Sequence, residues 1–230
     1  MKERVDRAKS LWRPSWLAVI SVLALAISCV GQKFEIGPRL IQDVLSRAHL
    51  SGSISYWSPT PCPSPYLPYP QFPEVRGTNN SGSATEVLQE MFAGDPKMRV
   101  TQEPGGIIRM SEIGISADLL DVKIHHIEFS EHEHREQVFT GPNIALLKIL
   151  LSPEVQDFKK THNIGPLGFR MPGNATEAFG RHAYGELDDV TVSQALDYVL
   201  QTFPGYWIYG NCTSKGGDRE VFFRFVENTP

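Results

Sequence analysis

Four histidines and four glutamates crowd the stretch KIHHIEFSEHEHREQ, residues 123–137. His125, His126, His132 and His134 are the residues best suited to bind a metal, since imidazole suits zinc, copper or nickel. On a strand His132 and His134 share a face. A zinc site needs three or four ligands in a tetrahedral array. Neither a His-Glu-x-x-His helix pattern nor paired cysteines supply the rest, so a solvated, charge-rich hairpin loop is the simpler reading and no cofactor is expected. The metal-dependent or hydrolytic enzyme built on residues 125–136 is the alternative. Nucleophile and phosphate-binding patterns are missing: there is no Gly-x-Ser-x-Gly, no Walker-type loop and no Gly-x-Gly-x-x-Gly. Cys212 has no histidine near it in sequence to activate it. Asp188 and Asp189, adjacent on a strand, point to opposite faces. The residue chemistry favours a protein that is not an enzyme.

The second chemical group is aromatic. Tyr206 and Ile208 alternate with Trp207 and Tyr209 in FPGYWIYG. A strand backed by helices on one face leaves its other face wet, so Trp207 and Tyr209 are the expected partner contacts.

These groups need a frame, and 230 residues allow one large or two small domains. An apolar content of 41%, with 21% charged residues, supports a packed core and excludes bulk disorder. A net charge of −4 offers no general field for nucleic acid, and no nucleic-acid partner is expected.

The chain opens on MKERVDRAKSLWRPS, with three arginines and two lysines, followed by the uncharged WLAVISVLALAISCV at residues 16–30. As a helix that run spans about 22 Å, short of the roughly 30 Å hydrocarbon core. Residues 1–31 therefore read as an export signal, with an uncleaved membrane anchor as the competitor. Cys29 closes AISC, a lipoprotein-like box with Ala26 where leucine is usual, and is the lipidation candidate. The expected destination is the periplasm, free or anchored to the membrane. Cys62 and Cys212 are the other two cysteines, and an oxidising compartment permits a disulfide between them without requiring one.

Residues 32–82 read as an N-terminal arm. A short helix carries Ile41, Val44, Leu45 and Ala48 on one face, and then seven prolines fall between residues 59 and 73. Proline removes backbone donors and favours extended geometry, so this part reads as a linker.

Residues 83–230 read as one α+β domain of two related units, 83–165 and 166–230. Ser83-x-x-Glu86 is a capping box opening a helix with Val87, Leu88, Met91 and Phe92 on one face. Pro96 stops it, and KMRVTQEPGGIIRM forms a hairpin. Thr191 and Gln194 repeat the box 108 residues later, Leu196 and Val199 repeat Leu88 and Met91, and Pro204 repeats Pro96. Small mixed sheets with helices on one face follow. Between the units lie a strand in DLLDVKIHHIEF and a helix that restarts at Ser152–Pro153. A further strand, YGELDDVTV, leads into the second unit.

The second unit carries a resemblance. GELDDVTVSQALDYVLQTFPGYWIYGN…REVFFRF, about residues 184–226, resembles the short N-terminal domain that precedes secretin pores and TonB-dependent receptors, with a weaker echo at 83–110. Ala195 and Leu196 occupy its Ala-Leu positions, and Val190 and Val192 its leading strand. No secretin core or receptor barrel follows within the 230 residues. The resemblance implies a bacterial-envelope module that docks to a periplasmic or outer-membrane protein through an exposed sheet edge.

Overall fold

The computed structural model describes residues 36–58, 72–78, 81–129, 141–165, 168–169, 183–214 and 216–228. The export segment, Cys29, most of the proline run with Cys62, and His132 and His134 lie outside them. No helix among the described residues is long and apolar enough to cross a membrane.

Helix α1 covers residues 36–47 and buries Ile41, Val44 and Leu45, as their spacing predicts, while Ala48 is exposed. His49 in the left-handed region (φ 52) ends it, with Leu50 N–H donating to the Leu45 carbonyl at 2.9 Å and His49 N–H to that of Ser46. These are the two bonds of a Schellman stop. The chain then enters β1 (Gly52–Trp57), which lies between β3 (Ile108–Glu112) and β7 (Gly205–Thr213) and is parallel to both. Residues 36–57 are therefore not part of an arm: they supply a packed helix and an internal strand. The alternation of Ser53 and Ser55 with Ile54 and Tyr56 looks half-solvated, yet both serines are buried. A strand with parallel neighbours on each side is covered on both faces.

Helix α2 (Ala84–Met91) starts on the Ser83–Glu86 capping box and buries Val87, Leu88 and Met91. Strand β2 (Met98–Gln102) then turns back through Gly106, whose φ of 83° suits a residue without Cβ, into β3. Strand β4 (Lys123–Phe129) precedes α3 (Pro142–Leu150) and α4 (Pro153–Thr161), each with proline in its first turn. Asn163, at φ 49°, follows the end of α4. Strands β5 (Gly168–Phe169) and β6 (Gly185–Thr191) lead to α5 (Val192–Thr202), which carries the second capping box, Thr191–Gln194. Phe203 and Pro204 end it, and β7 pairs with β8 (Arg219–Glu227).

The protein is α+β, with a six-stranded mixed sheet in the order β2-β3-β1-β7-β8-β5 and a two-stranded antiparallel sheet, β4-β6. Both helix–hairpin units share the larger sheet, so the 165/166 boundary divides no sheet from another. The helices are not confined to one face. Ile54, Tyr56, Met98, Val100, Tyr206 and Ile208 pack with α1 and α2. Trp207, Tyr209, Val221 and Phe223 pack on the other side with α3 and α5. Beyond α3 and α5 the small sheet closes the same core with Ile124, Ile127 and Phe129.

The handedness of the units explains the two-sided packing. The first hairpin meets β1 by its second strand, β3, and the second by its first strand, β7. A unit of the same hand inserted this way is turned over about an axis across the strands, which carries its helix to the opposite face. Accordingly Met98 and Val100 face the α2 side, whereas Trp207 and Tyr209 face the α5 side. The counterpart of KMRVT is therefore YWIYG, one residue beyond the spacing that relates the helices.

Candidate protein-docking edge

The four histidines do not converge among the described residues. His125 and His126 stand on β4, both exposed, and each meets a different carboxylate on β6. His125 Nδ1 lies 3.2 Å from Asp189 Oδ1, and His126 Nδ1 lies 2.7 Å from Asp188 Oδ1. No group of three or more His, Cys, Asp or Glu side chains that could hold a metal occurs among the described residues. Asp188 and Asp189 are both exposed, because the left-handed φ of 52° at Asp189 breaks the alternation between them. The hydrogen bond from His126 to Asp188, reinforced by the charges of Asp188, Glu186 and Glu128, raises the His126 pKa above its ordinary 6.5. The His125 bond, with Lys123, lowers the Asp189 carboxyl. Since the folded His126 pKa lies above the unfolded one, its contribution to stability is complete below pH 6.5 and disappears as pH rises through the folded value. In an NMR titration His126 is expected to titrate above 6.5, and Asp188→Asn to move it back toward 6.5. An unmoved midpoint in that variant refutes the pairing.

Trp207 and Tyr209 are not exposed anchors: they are 2% and 0% accessible. The reasoning from one wet face fails because helices cover β7 on both sides. Two arginines hold these rings. Arg109 bridges Glu103 and Asp197, and its guanidinium carbon lies 5.6 Å from the Trp207 ring centroid. Trp207 Nε1–H donates to Asp197 Oδ1 at 2.9 Å. Burial works against the Arg109 charge, but its bonds to Asp197 and Glu103 outweigh it and raise its pKa. Arg219 donates to the Tyr209 hydroxyl, Asn211 Oδ1 and both Asp118 oxygens. The bond from Arg219 is the leading reason that the Asp118 carboxyl lies below its usual range. Both clusters tie loops and strands to the core.

Cys212 is disulfide-bonded, and its partner lies outside the described residues. Among the described residues the exposed aromatics are Trp57 and Tyr184, which sequence reasoning passed over. Trp57 closes the alternating strand β1 beside the prolines, a signal present in GSISYW once that stretch is taken as a strand. It borders a groove of about 300 Å³ with Tyr56, Phe72, Asp95 and Glu112. Glu112 accepts the Trp57 backbone N–H at 2.7 Å and lies 3.6 Å from Lys97 Nζ.

The sheet edges differ more sharply. On β2 the amides of Met98 and Val100 point away from β3. The Asp95 carbonyl accepts the first at 3.1 Å, and Gln89 Oε1 of α2 accepts the second at 3.0 Å. On β4 the outward amide of His125 donates to Glu154 Oε1 of α4 at 3.1 Å. The outer side of β8 pairs with β5, and its Arg219 carbonyl accepts Gly165 N–H at 2.9 Å. Strand β6 is different. Val192 N–H bonds to the Val122 carbonyl and Val190 bonds toward β4, but the left-handed Asp189 shifts the alternation by one residue, so that beyond it Leu187 and Gly185 bond toward β4. The peptide groups of Glu186 and Asp188 therefore face outward, and no hydrogen-bond partner meets them among the described residues. Their side chains are exposed. Unpaired strand edges are usually blunted because they template pairing with another chain.

Comparison with protein-family models, curated proteins and solved structures finds no match to the chain.

Proposed function

We propose that this chain is an exported, non-enzymatic interaction module of the bacterial cell envelope that docks a protein partner by strand addition. The observation that carries this reading is the uncapped outer edge of β6 at Glu186 and Asp188, beside edges on β2 and β4 where Asp95, Gln89 and Glu154 cap the amides of Met98, Val100 and His125. Strand addition draws its affinity from such free main-chain groups and its selectivity from the alternating side chains around them. The disulfide at Cys212 supports a compartment outside the cytoplasm, where such bonds persist. The stretch resembling the secretin and TonB-receptor N-terminal domain runs strand, helix, strand, strand (β6, α5, β7, β8), the order which that resemblance implies. The docking surface moves from the buried Trp207 and Tyr209 to β6.

The test is photo-crosslinking in living cells from a probe residue at Glu186, followed by reciprocal capture and N-terminal sequencing of the fractionated protein. A single envelope protein crosslinked from Glu186, and not from a control site at Arg99 on the capped edge, is the expected result. Recovery of full-length protein from the cytosol alone, or the same crosslinks from both sites, overturns the reading.

A further inference from the structure

The side chains beside the open edge of β6 restrict what can pair with it. Glu186 stands directly across from Glu128 of β4, and both are exposed. Like charges in that position repel. No cation among the described residues pairs with either, whereas Asp188 is held by His126, and Asp189 by His125 and Lys123. On the inner side Leu187 is partly buried against the α3–α5 core.

We infer that the occupant of this edge is an extended segment of another protein with basic side chains at alternate positions and an apolar residue between them. This rests on the strand-addition reading above and specifies its partner. An antiparallel strand added to β6 exchanges hydrogen bonds with Glu186 and Asp188. Its residue opposite Glu186 then occupies a hydrogen-bonded position, where paired Cα atoms lie about 5.5 Å apart and the two side chains share a face. A lysine or arginine there meets the uncompensated Glu128–Glu186 pair. The next residue on the same face lies opposite Asp188. The residue between them, opposite Leu187, turns inward and is apolar. A second copy of this chain is a poor occupant. Paired along β6 it places Glu186, Asp188 and Asp189 against the same carboxylates, which costs rather than gains.

The experiment uses the full-length protein in detergent and a fluorescent synthetic peptide of about ten residues with alternating lysine and valine. Anisotropy measures binding, and amide exchange measures protection at Glu186 and Asp188. Binding should weaken at least tenfold when the lysines become glutamates, and as much when the amides facing β6 are N-methylated, which leaves charge intact. Glu186→Lys, an exposed change, should weaken it similarly, and the Glu peptide should bind that variant better than the native protein. Equal binding of the N-methylated peptide, or no protection at Glu186 and Asp188, overturns the inference. If the crosslinked envelope partner is still captured by Glu186→Lys at native strength, the basic-strand inference falls while docking itself stands. If no partner is captured yet the peptide binds as described, docking in the envelope falls and the edge chemistry stands.

Discussion

Trp207→Ala is expected to lower the unfolding free energy by about 3–5 kcal/mol, the range for emptying an aromatic site in a core. The ring is among the largest fully enclosed side chains and lies between the sheet and α5. Its loss leaves a cavity and removes the N–H that Asp197 accepts. It also removes the surface over which the Arg109 guanidinium sits. Chemical denaturation followed by circular dichroism measures the change, with Trp207→Phe as the companion, since it restores most of the volume and none of the hydrogen bond. A loss below about 1 kcal/mol in the alanine variant would match an exposed ring and contradict the two-sided packing of β7. The same measurement separates stability from docking, because a folded Trp207→Phe protein should bind its partner at native strength.

Asp197→Ala is expected to cost about 2–4 kcal/mol, because one carboxylate serves two buried donors. Asp197 Oδ1 accepts from Trp207 Nε1 and from Arg109 Nη1 at 2.8 Å, and Oδ2 accepts from Arg109 Nη2. The Arg109 and Asp197 side chains are only 17% and 14% exposed. Without Asp197 the indole N–H has no acceptor, while Arg109 retains Glu103 and Ser53. That retained pairing keeps the cost below the loss of a wholly isolated ion pair. Asp197→Asn keeps an acceptor for the indole, and its cost should fall clearly below that of alanine. Equal costs for the two variants would mean that the hydrogen bond to Trp207 contributes nothing. The link also joins the two cores, since Arg109 stands on the first hairpin and Asp197 on the helix of the second unit. Its loss should therefore expose β3 as well as α5 to faster amide exchange.

The helix starts could be read directly from the chain. Ser83 with Glu86 and Thr191 with Gln194 form both reciprocal capping bonds, because a capping box involves residues only three apart. The stop at Pro204, the turn at Gly106 and the paired prolines of α3 and α4 were legible for the same reason, whereas α2 ends at Met91, ahead of the stop expected at Pro96. Ile41, Val44 and Leu45 declared the buried face of α1 through their spacing alone. The strand β1 was not legible. Ser53 and Ser55 imitate a solvent face, and only the parallel neighbours β3 and β7 show that both are covered. Trp207 and Tyr209 were assigned to the wrong environment because alternation states which residues share a face, not what lies over that face.

Sequence alone therefore determined the capped helices, the α+β class and the repeated helix–hairpin plan, which depend largely on interactions among close neighbours. Tertiary structure decided the strand order, the turning-over of the second unit and the burial of β7. It also decided which edges are capped: Gln89 reaches Val100 across a hairpin approach, and Glu154 reaches His125 over 29 residues. The outer edge of β6 carries no such cap among the described residues. Such contacts depend on where distant segments meet, and periodicity along the chain carries no information about that meeting.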